Sequence, residues 1–491
     1  MLEKLQDALS YISDRHIAEA AKSRKQRKYF TLGAIAAVLV IALTIGLLFP
    51  FSSSPQAEDP LVRNPASPSE ASPSNQSPLS LYVLSEPAYP VLAQHPKDSD
   101  EDDHGSWWAD QRKIHGQPLG YADSLDDYFS AITAQLLTNT NGSNVACSPV
   151  NIYIALAMLA ETTDGTSRQQ ILDLLNADNI QALRTQVGHV WRGHYNNDGV
   201  TTSILANSLW LERGYNYNED TVRLLADSYY ASVFQGDLGS KEINQALQDW
   251  INDQTNGLLR EQAKDLKLDP SSVLALVSTL HYQVQWTEKF QEAKNTENTF
   301  HGANGDSTET FMNQTLIYNP YYWGDRFGAI FLNLEDGGRM WLILPDEGTT
   351  PEQLLESGEA MEFLRQDHNE YTNQKTLLIN LSVPKFDISS DMELRDHLQS
   401  LGIADVFIPG TADFSPIIPT ADSGYVGQIK HAARVAIDEK GATAAAFTVI
   451  DRCGAGMPPS DEMDFVLDRP FFFVIESQDG LPLFTGIVNQ P

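Results

Sequence analysis

The sequence predicts an α+β fold behind a single transmembrane helix. Three observations carry this. Residues 29–51 form an uncharged apolar run. Helix-period segments crowd the stretch after Tyr121, and strand-type runs dominate the later part of the chain. No Pro/Ser-rich break divides residues 121–491, so one large domain is expected there.

Residues 1–28 carry seven basic and four acidic side chains, with Leu2, Leu5, Leu9 and Ile12 at helical spacing. They read as a cytoplasmic segment holding a weakly ordered juxtamembrane helix. Tyr29–Phe51 holds 23 residues without a charge. As a helix it is roughly 35 Å long, enough for a hydrocarbon core of about 30 Å. Lys22, Arg24, Lys25, Arg27 and Lys28 precede it and belong on the cytoplasmic side, beside anionic lipid. The remainder carries 26 basic against 61 acidic side chains, which points it outward. A signal peptide's apolar region runs about 7–15 residues, so this longer run reads as a signal anchor. Ser52–Ala57 still leaves room for a cut. The expected location is the cell membrane, single-pass, with the N-terminus cytoplasmic and the large domain extracellular. The bilayer is thus an expected partner through residues 29–51.

Residues 52–120 read as a linker. Up to residue 80 it is Pro, Ser and acid, too poor in apolar surface to offset its ordering entropy. Partial order is expected after 80: Leu81–Leu84, Tyr89, Val91, Trp107 and Trp108 have the bulk to pack on the domain, while "DSDEDDHG" reads as a solvated acidic run. Within 121–491, "SLDDYFSAITAQLL", "NIYIALAMLAETT", "TSRQQILDLLN" and "TVRLLADSYYASVF" have helical texture. "TTSILANSLWL", "VLALVSTLHYQVQW", "RMWLILP", "KTLLINLSVPKF" and "RPFFFVIES" read as strands of large antiparallel or mixed sheets.

The composition excludes several classes. A formal charge of −32 opposes nucleic-acid binding. Two cysteines build neither a disulfide framework nor a cysteine zinc site. No HExxH, GxSxG or P-loop occurs, and no GxGxxG follows a strand. His281 and His431 lie in apolar strand-like runs, where a lone histidine is usually a hydrogen-bonded core residue. The chain does not read as an enzyme, and no metal or cofactor is expected.

The unusual stretch lies near the C-terminus. Gly441–Ala446 is nearly all small residues. At period two, one face presents Ala442, Ala444, Ala446, Thr448 and Ile450, and the other Thr443, Ala445, Phe447, Val449 and Asp451. The exposed-looking "DRCGAGMPPS" comes next. Two readings stay open from these residues alone: a surface strand or Ala-rich helix ending in a loop, and a loop built for strand insertion.

Ordered motifs then carry a resemblance. "NVACSPVNIYIALAMLAETTDGTSRQQI" contains Ser148-Pro149 and Gly165-Thr166; "ANSLWL", Ile243-Asn244 and Trp250–Leu259 come after it. "LVSTLHYQVQWTEKF" with Trp286, "VPKF" at Val383–Phe386, "LGI" at Leu401–Ile403, "DRPFFFVI" at Asp468–Ile475 and the terminal "LFTGIVNQP" complete the order. Residues 121–491 resemble a serpin throughout. The resemblance implies a serpin fold with three β-sheets, eight to nine helices and an exposed reactive-centre loop. It also implies a loop hinge at Glu439, Gly441, Ala442, Thr443, Ala444, Ala445, Ala446 and Thr448. Trp286 would mark the breach where that strand ends; Ser148, Asn151, Ser278 and His431 would form the shutter. Asn151 stands where the family usually has a second Ser, and Ser278 where it usually has Asn. The swap suggests that the two exchange hydrogen-bond roles with His431.

Counting along the family's loop places the reactive bond at Ala455–Gly456, with Arg452–Cys453 and Cys453–Gly454 as alternatives. A small residue at 455 suits elastase-like or subtilisin-like proteases with shallow pockets. The expected function is suicide inhibition of extracellular serine proteases by a monomer; the other reading is a non-inhibitory serpin-fold binding module at the surface. The anchor and the lack of disulfides together suggest a bacterial source. Cys453 is expected as an exposed thiol and Cys147 as a buried one.

Overall fold

The computed structural model describes residues 79, 82–96, 101–419, 424–442 and 461–491. The expected membrane helix at 29–51 lies outside the described residues. So do Thr443, Ala444, Ala445, Ala446, Thr448, Ala455 and Gly456. Among the described residues, no helix is long and apolar enough to cross a membrane.

The helices are α1 Glu101–His115, α2 Asp126–Leu137, α3 Pro149–Thr162, α4 Gly165–Leu174, α5 Ile180–His194 and α6 Glu219–Tyr229. α7 Lys241–Gln254, α8 Arg260–Ala263, α9 Pro351–Glu356, α10 Glu359–Arg365 and α11 Arg395–Ser400 complete the set. Eleven α-helices among the described residues exceed the expected eight to nine. The surplus comes from one-turn pieces such as α8 and from α1, which runs into the expected linker. Short helices lack the long apolar periodicity that reveals a helix in sequence.

Among the described residues the main sheet has eight strands: β1 Val83–Ser85, β3 Asn196–Asn197, β4 Thr202–Glu212, β5 Ala231–Gly236, β6 Leu274–Gln285, β12 Phe386–Glu393, β13 Val426–Ile437 and β14 Gly441–Ala442. Its order is β1-β5-β4-β6-β14-β13-β12, with β3 beside β4. The second sheet has nine among these residues: β2 Val145–Cys147, β7 Thr296–Gly302, β8 Gly305–Trp323, β9 Phe327–Asn333, β10 Arg339–Pro345, β11 Gln374–Pro384, β15 Glu462–Val466, β16 Phe471–Glu476 and β17 Pro482–Val488. Three sheets were implied and two are found among the described residues. The reason is β8, 19 residues long. It pairs with β7 and β11 along its length and reaches β9 through Tyr322 and Trp323, fusing two ladders into one.

The main sheet is covered on both faces, so its strands read as nearly continuous apolar runs. On one side Leu205, Leu209, Leu276, Leu280, Val284, Val435 and Ile437 join the central core with α3. All 14 residues of α3 are buried, and Ser148 caps it by accepting from the Asn151 amide, with Pro149 at the first helical position. On the other side Ile243, Leu247 and Trp250 of α7 cover Ala206, Trp210, Val277 and Ala432. Their spacing is the i, i+4, i+7 stripe of an amphipathic helix.

The segment before Tyr121 is built onto this domain. β1 pairs with the outer edge of β5 (Val83 opposite Phe234), and Gln235 N–H donates to Tyr82 O at 2.7 Å. Tyr89 stacks on Trp191, Tyr195 and Tyr230 with centroids 5.7, 5.6 and 6.3 Å away. His115 Nε2 lies 2.7 Å from Tyr195 O, and Tyr121 donates to Asp479 at 2.9 Å. Val91 and Trp108 remain 97% and 48% exposed, against the packing expected of them. The neighbouring Trp107 stacks edge-on between His95 and Trp108.

Candidate functional site

The main sheet is split at one end. β6 and β13 pair directly, in parallel, from Leu274–Val426 to Thr279–Ala432. Beyond that point β14 enters between them: Gly441 opposes Gln285, and Ala442 opposes both Val284 and Ile437. It runs antiparallel to both neighbours, so the first two small residues of the expected hinge already sit inside the sheet.

A tight turn makes this entry possible. Asp438 Oδ1 accepts from the Lys440 and Gly441 amides at 2.7 and 3.2 Å, and Asp438 N–H donates to Gly441 O at 3.0 Å. Trp286, 1% exposed, locks the turn from both sides. Its indole donates to Asp438 O at 2.8 Å and its amide to Lys440 O at 2.9 Å. A Cβ on Gly441 would lie 2.1 Å from Val284 O and 2.7 Å from Gln285 Cα, so only glycine allows the approach. Ala442, buried at 2% exposure, packs into the central core.

Glu439 tethers the turn to the other sheet's side. Lys385 Nζ pairs with it at 2.5 Å, Asn295 Nδ2 donates at 2.5 Å, and Phe290 N–H donates to its carbonyl at 3.0 Å. Burial pushes its carboxyl pKa up, but the hydrogen bonds from Lys385 and Asn295 outweigh that and hold it below the usual range.

The expected shutter residues converge lower in the sheet. His431 is fully buried. Its Nε2 accepts from the Ser148 amide at 2.9 Å. An amide can only donate, so Nε2 is bare and Nδ1 carries the proton, which it donates to Ser278 Oγ at 3.0 Å. Burial pushes the imidazole pKa down to about 3, so it stays neutral. Asn151 departs from the expected exchange with Ser278 and His431. Its Oδ1 accepts instead from Asn207 Nδ2 at 3.1 Å. The reason is register: Asn207 of β4 lies directly opposite Ser278 of β6 and reaches the α3 side first. Asn207 was missed from sequence, where the polar Asn inside "ANSLWL" was the available signal. Asn151 Nδ2 and Asn207 Oδ1 are buried without a hydrogen-bond partner among the described residues.

Cys147 is buried 3.2 Å from Thr485 Oγ1, and burial pushes its thiol up to about 12, which makes it inert. Cys453 lies outside the described residues.

The main sheet is thus split by an entering glycine-alanine strand and closed below by a buried Ser–His pair. Comparison with known proteins places this fold. Residues 125–491 match the family described as Serpin (serine protease inhibitor), and the chain belongs to that family. It is 28% identical over 372 residues to Serpin-ZX of Arabidopsis thaliana, covering 72% of this chain and 94% of that one. It is 27% identical over 392 residues to plasminogen activator inhibitor 1 of Sus scrofa, covering 77% and 94%. The solved Arabidopsis AtSerpin1, in a native stressed conformation, superposes with a TM-score of 0.66 at 25% identity, covering 76% of this chain and 99% of that one.

Proposed function

We propose that this serpin is a suicide-substrate inhibitor of extracellular serine proteases of the elastase-like or subtilisin-like type, tethered to the cell membrane through residues 29–51. The observation that carries this is the split in the main sheet with Gly441 and Ala442 already paired between β6 and β13.

The protease serine attacks the Ala455 carbonyl, the Gly456 amine leaves, and an ester links Ala455 to the enzyme. The freed strand then continues where β14 stops. Extending the two ladders of β14 independently, residue by residue, sets Thr448 opposite Ser278 on one side and His431 on the other. These two are the pair that now closes the shutter. Both ladders therefore agree on where insertion must break it. Alternation puts Ala444, Ala446 and Thr448 on the same face as Ala442, toward the packed core, where small side chains fit. The hydroxyl of Thr448 enters the layer holding the unpartnered Asn151 and Asn207 groups, each costing on the order of 1–3 kcal/mol while unmade. Fifteen residues, 441–455, at about 3.3 Å each carry the protease roughly 50 Å.

The test is a denaturing gel of the full-length chain, purified in mild detergent, after incubation with elastase, subtilisin and trypsin. An SDS-stable complex with a released fragment starting at Gly456 is expected. Clean cleavage without a complex, and without a rise in thermal stability, selects the non-inhibitory binding module. Protease shaving of intact cells checks the outward tether: the domain is released while residues 1–28 stay protected.

A further inference from the structure

Among the described residues, eight large hydrophobic side chains are exposed, and four of them, Leu84, Val91, Trp108 and Leu119, fall within the segment before Tyr121. Val91 and Leu119 are 97% and 77% exposed, more than any of the others. The segment covers one side of the domain, because it is fastened along a short stretch at the end of α5. Tyr89 stacks on Trp191 and Tyr195, His115 Nε2 meets Tyr195 O, and Gln117 Oε1 lies 2.7 Å from His189 Nδ1. Val91, Trp108 and Leu119 leave the outer side of that layer. Trp107, edge-on between His95 and Trp108 at 4.7 and 4.5 Å, fixes the Trp108 ring in place. Arg112 and Lys113 are exposed a turn further along α1. A segment that buries Leu92 in the core yet turns other large apolar groups to solvent reads as a surface with a second partner.

We propose that this outer face of residues 84–119 lies on the lipid bilayer, seating Val91, Trp108 and Leu119 at headgroup depth. The proposal rests on the reading of residues 29–51 as a membrane anchor. Chain length selects the occupant. Only 27 residues, 52–78, separate that run from Leu79, and they span at most about 95 Å. The bilayer is thus always within reach, and a contact too weak to hold a free protein forms within the tethered chain. The side chains suit the headgroup region: a fixed tryptophan, two aliphatic groups, and two basic residues whose stems lie along apolar surface while their charges stay in water. The five acidic residues within 98–103 favour neutral headgroups over anionic ones. Seated so, the domain rests on the membrane with the end of α5 beneath it, and proteases reach it from its other sides.

Quenching of tryptophan fluorescence by lipid tests this contact. No tryptophan precedes Trp107, so the anchor itself is silent and the signal comes from the folded domain. The full-length chain is reconstituted into phosphatidylcholine vesicles with and without bromine on the acyl chains. Brominated lipid is expected to quench the wild type. Trp108→Phe and, separately, the double surface change Val91→Asp with Leu119→Asp should each at least halve that quenching, with unchanged thermal unfolding. No quenching of the folded wild type, or equal quenching in both folded variants, overturns the bilayer contact and leaves a protein partner as the occupant. Failure of the anchor is seen separately, as chain stripped from the vesicles by alkaline carbonate; Trp108-dependent quenching recorded before that wash then supports the face alone.

Discussion

Gly441 is the residue on which the proposed hinge turns. Any side chain there collides with the backbone of Val284 and Gln285, which cannot yield as a flexible side chain would. Gly441→Val should therefore expel β14 from the split and slow insertion, letting the protease deacylate first. The stoichiometry of inhibition should rise severalfold, read by titrating residual protease activity. His431 supports a prediction of opposite kind. Its folded pKa of about 3 lies below the ordinary value of 6.5. Its contribution to stability is thus full above pH 6.5 and is lost as the pH falls toward 3, because the unfolded chain takes up a proton that the native shutter refuses. The slope is about 1.4 kcal/mol per pH unit for one proton. His431→Gln should flatten the decline in unfolding free energy between pH 6.5 and 5 by that amount, measured by urea unfolding. At this scale much was legible: Gly441, Trp286, Ser148, Ser278 and His431 are distinctive types within ordered motifs. Asn207, Lys385 and Asn295 were not, because each matters only through a partner far along the chain.

Among elements, the strands of the main sheet were readable because burial on both faces leaves continuous apolar runs. The third sheet was misjudged for a different reason. Whether β8 closes one ladder and opens another depends on its partners, and pairing leaves no local mark in its sequence. The same holds for β1, a three-residue strand whose existence depends on the exposed edge of β5. The segment around it is fastened in part by Tyr89, in an aromatic stack where the Trp191 and Tyr230 ring centroids lie 3.5 Å apart. Tyr89→Ala removes a large half-buried ring from that stack and should lower stability by about 2–4 kcal/mol. Differential scanning calorimetry of the full chain checks this; a shift below about 1 °C would mean that the segment rests on the domain without bracing it.

At the scale of the whole molecule, the proposed inhibitor works only if its native form is not its most stable one. The split above Thr279 and Ala432, the amide groups left unmatched on Asn151 and Asn207, and the half-entered β14 are all places where a further strand would add bonds. Cleavage of the loop should then raise the thermal midpoint, since the cut strand completes the sheet. The rise must depend on residues that have no role in protease recognition. Ala442→Arg sets a charged side chain against the core that now buries Ala442. Ala444→Pro removes a ladder donor from a central strand. Both variants should be cut at the same bond as wild type and at a similar rate. Neither should yield an SDS-stable complex, and the cut chain should melt where the intact one does. A covalent complex formed by either variant at the wild-type level would mean that trapping proceeds without insertion past Ala442, and the mechanism would have to be rebuilt around the loop alone.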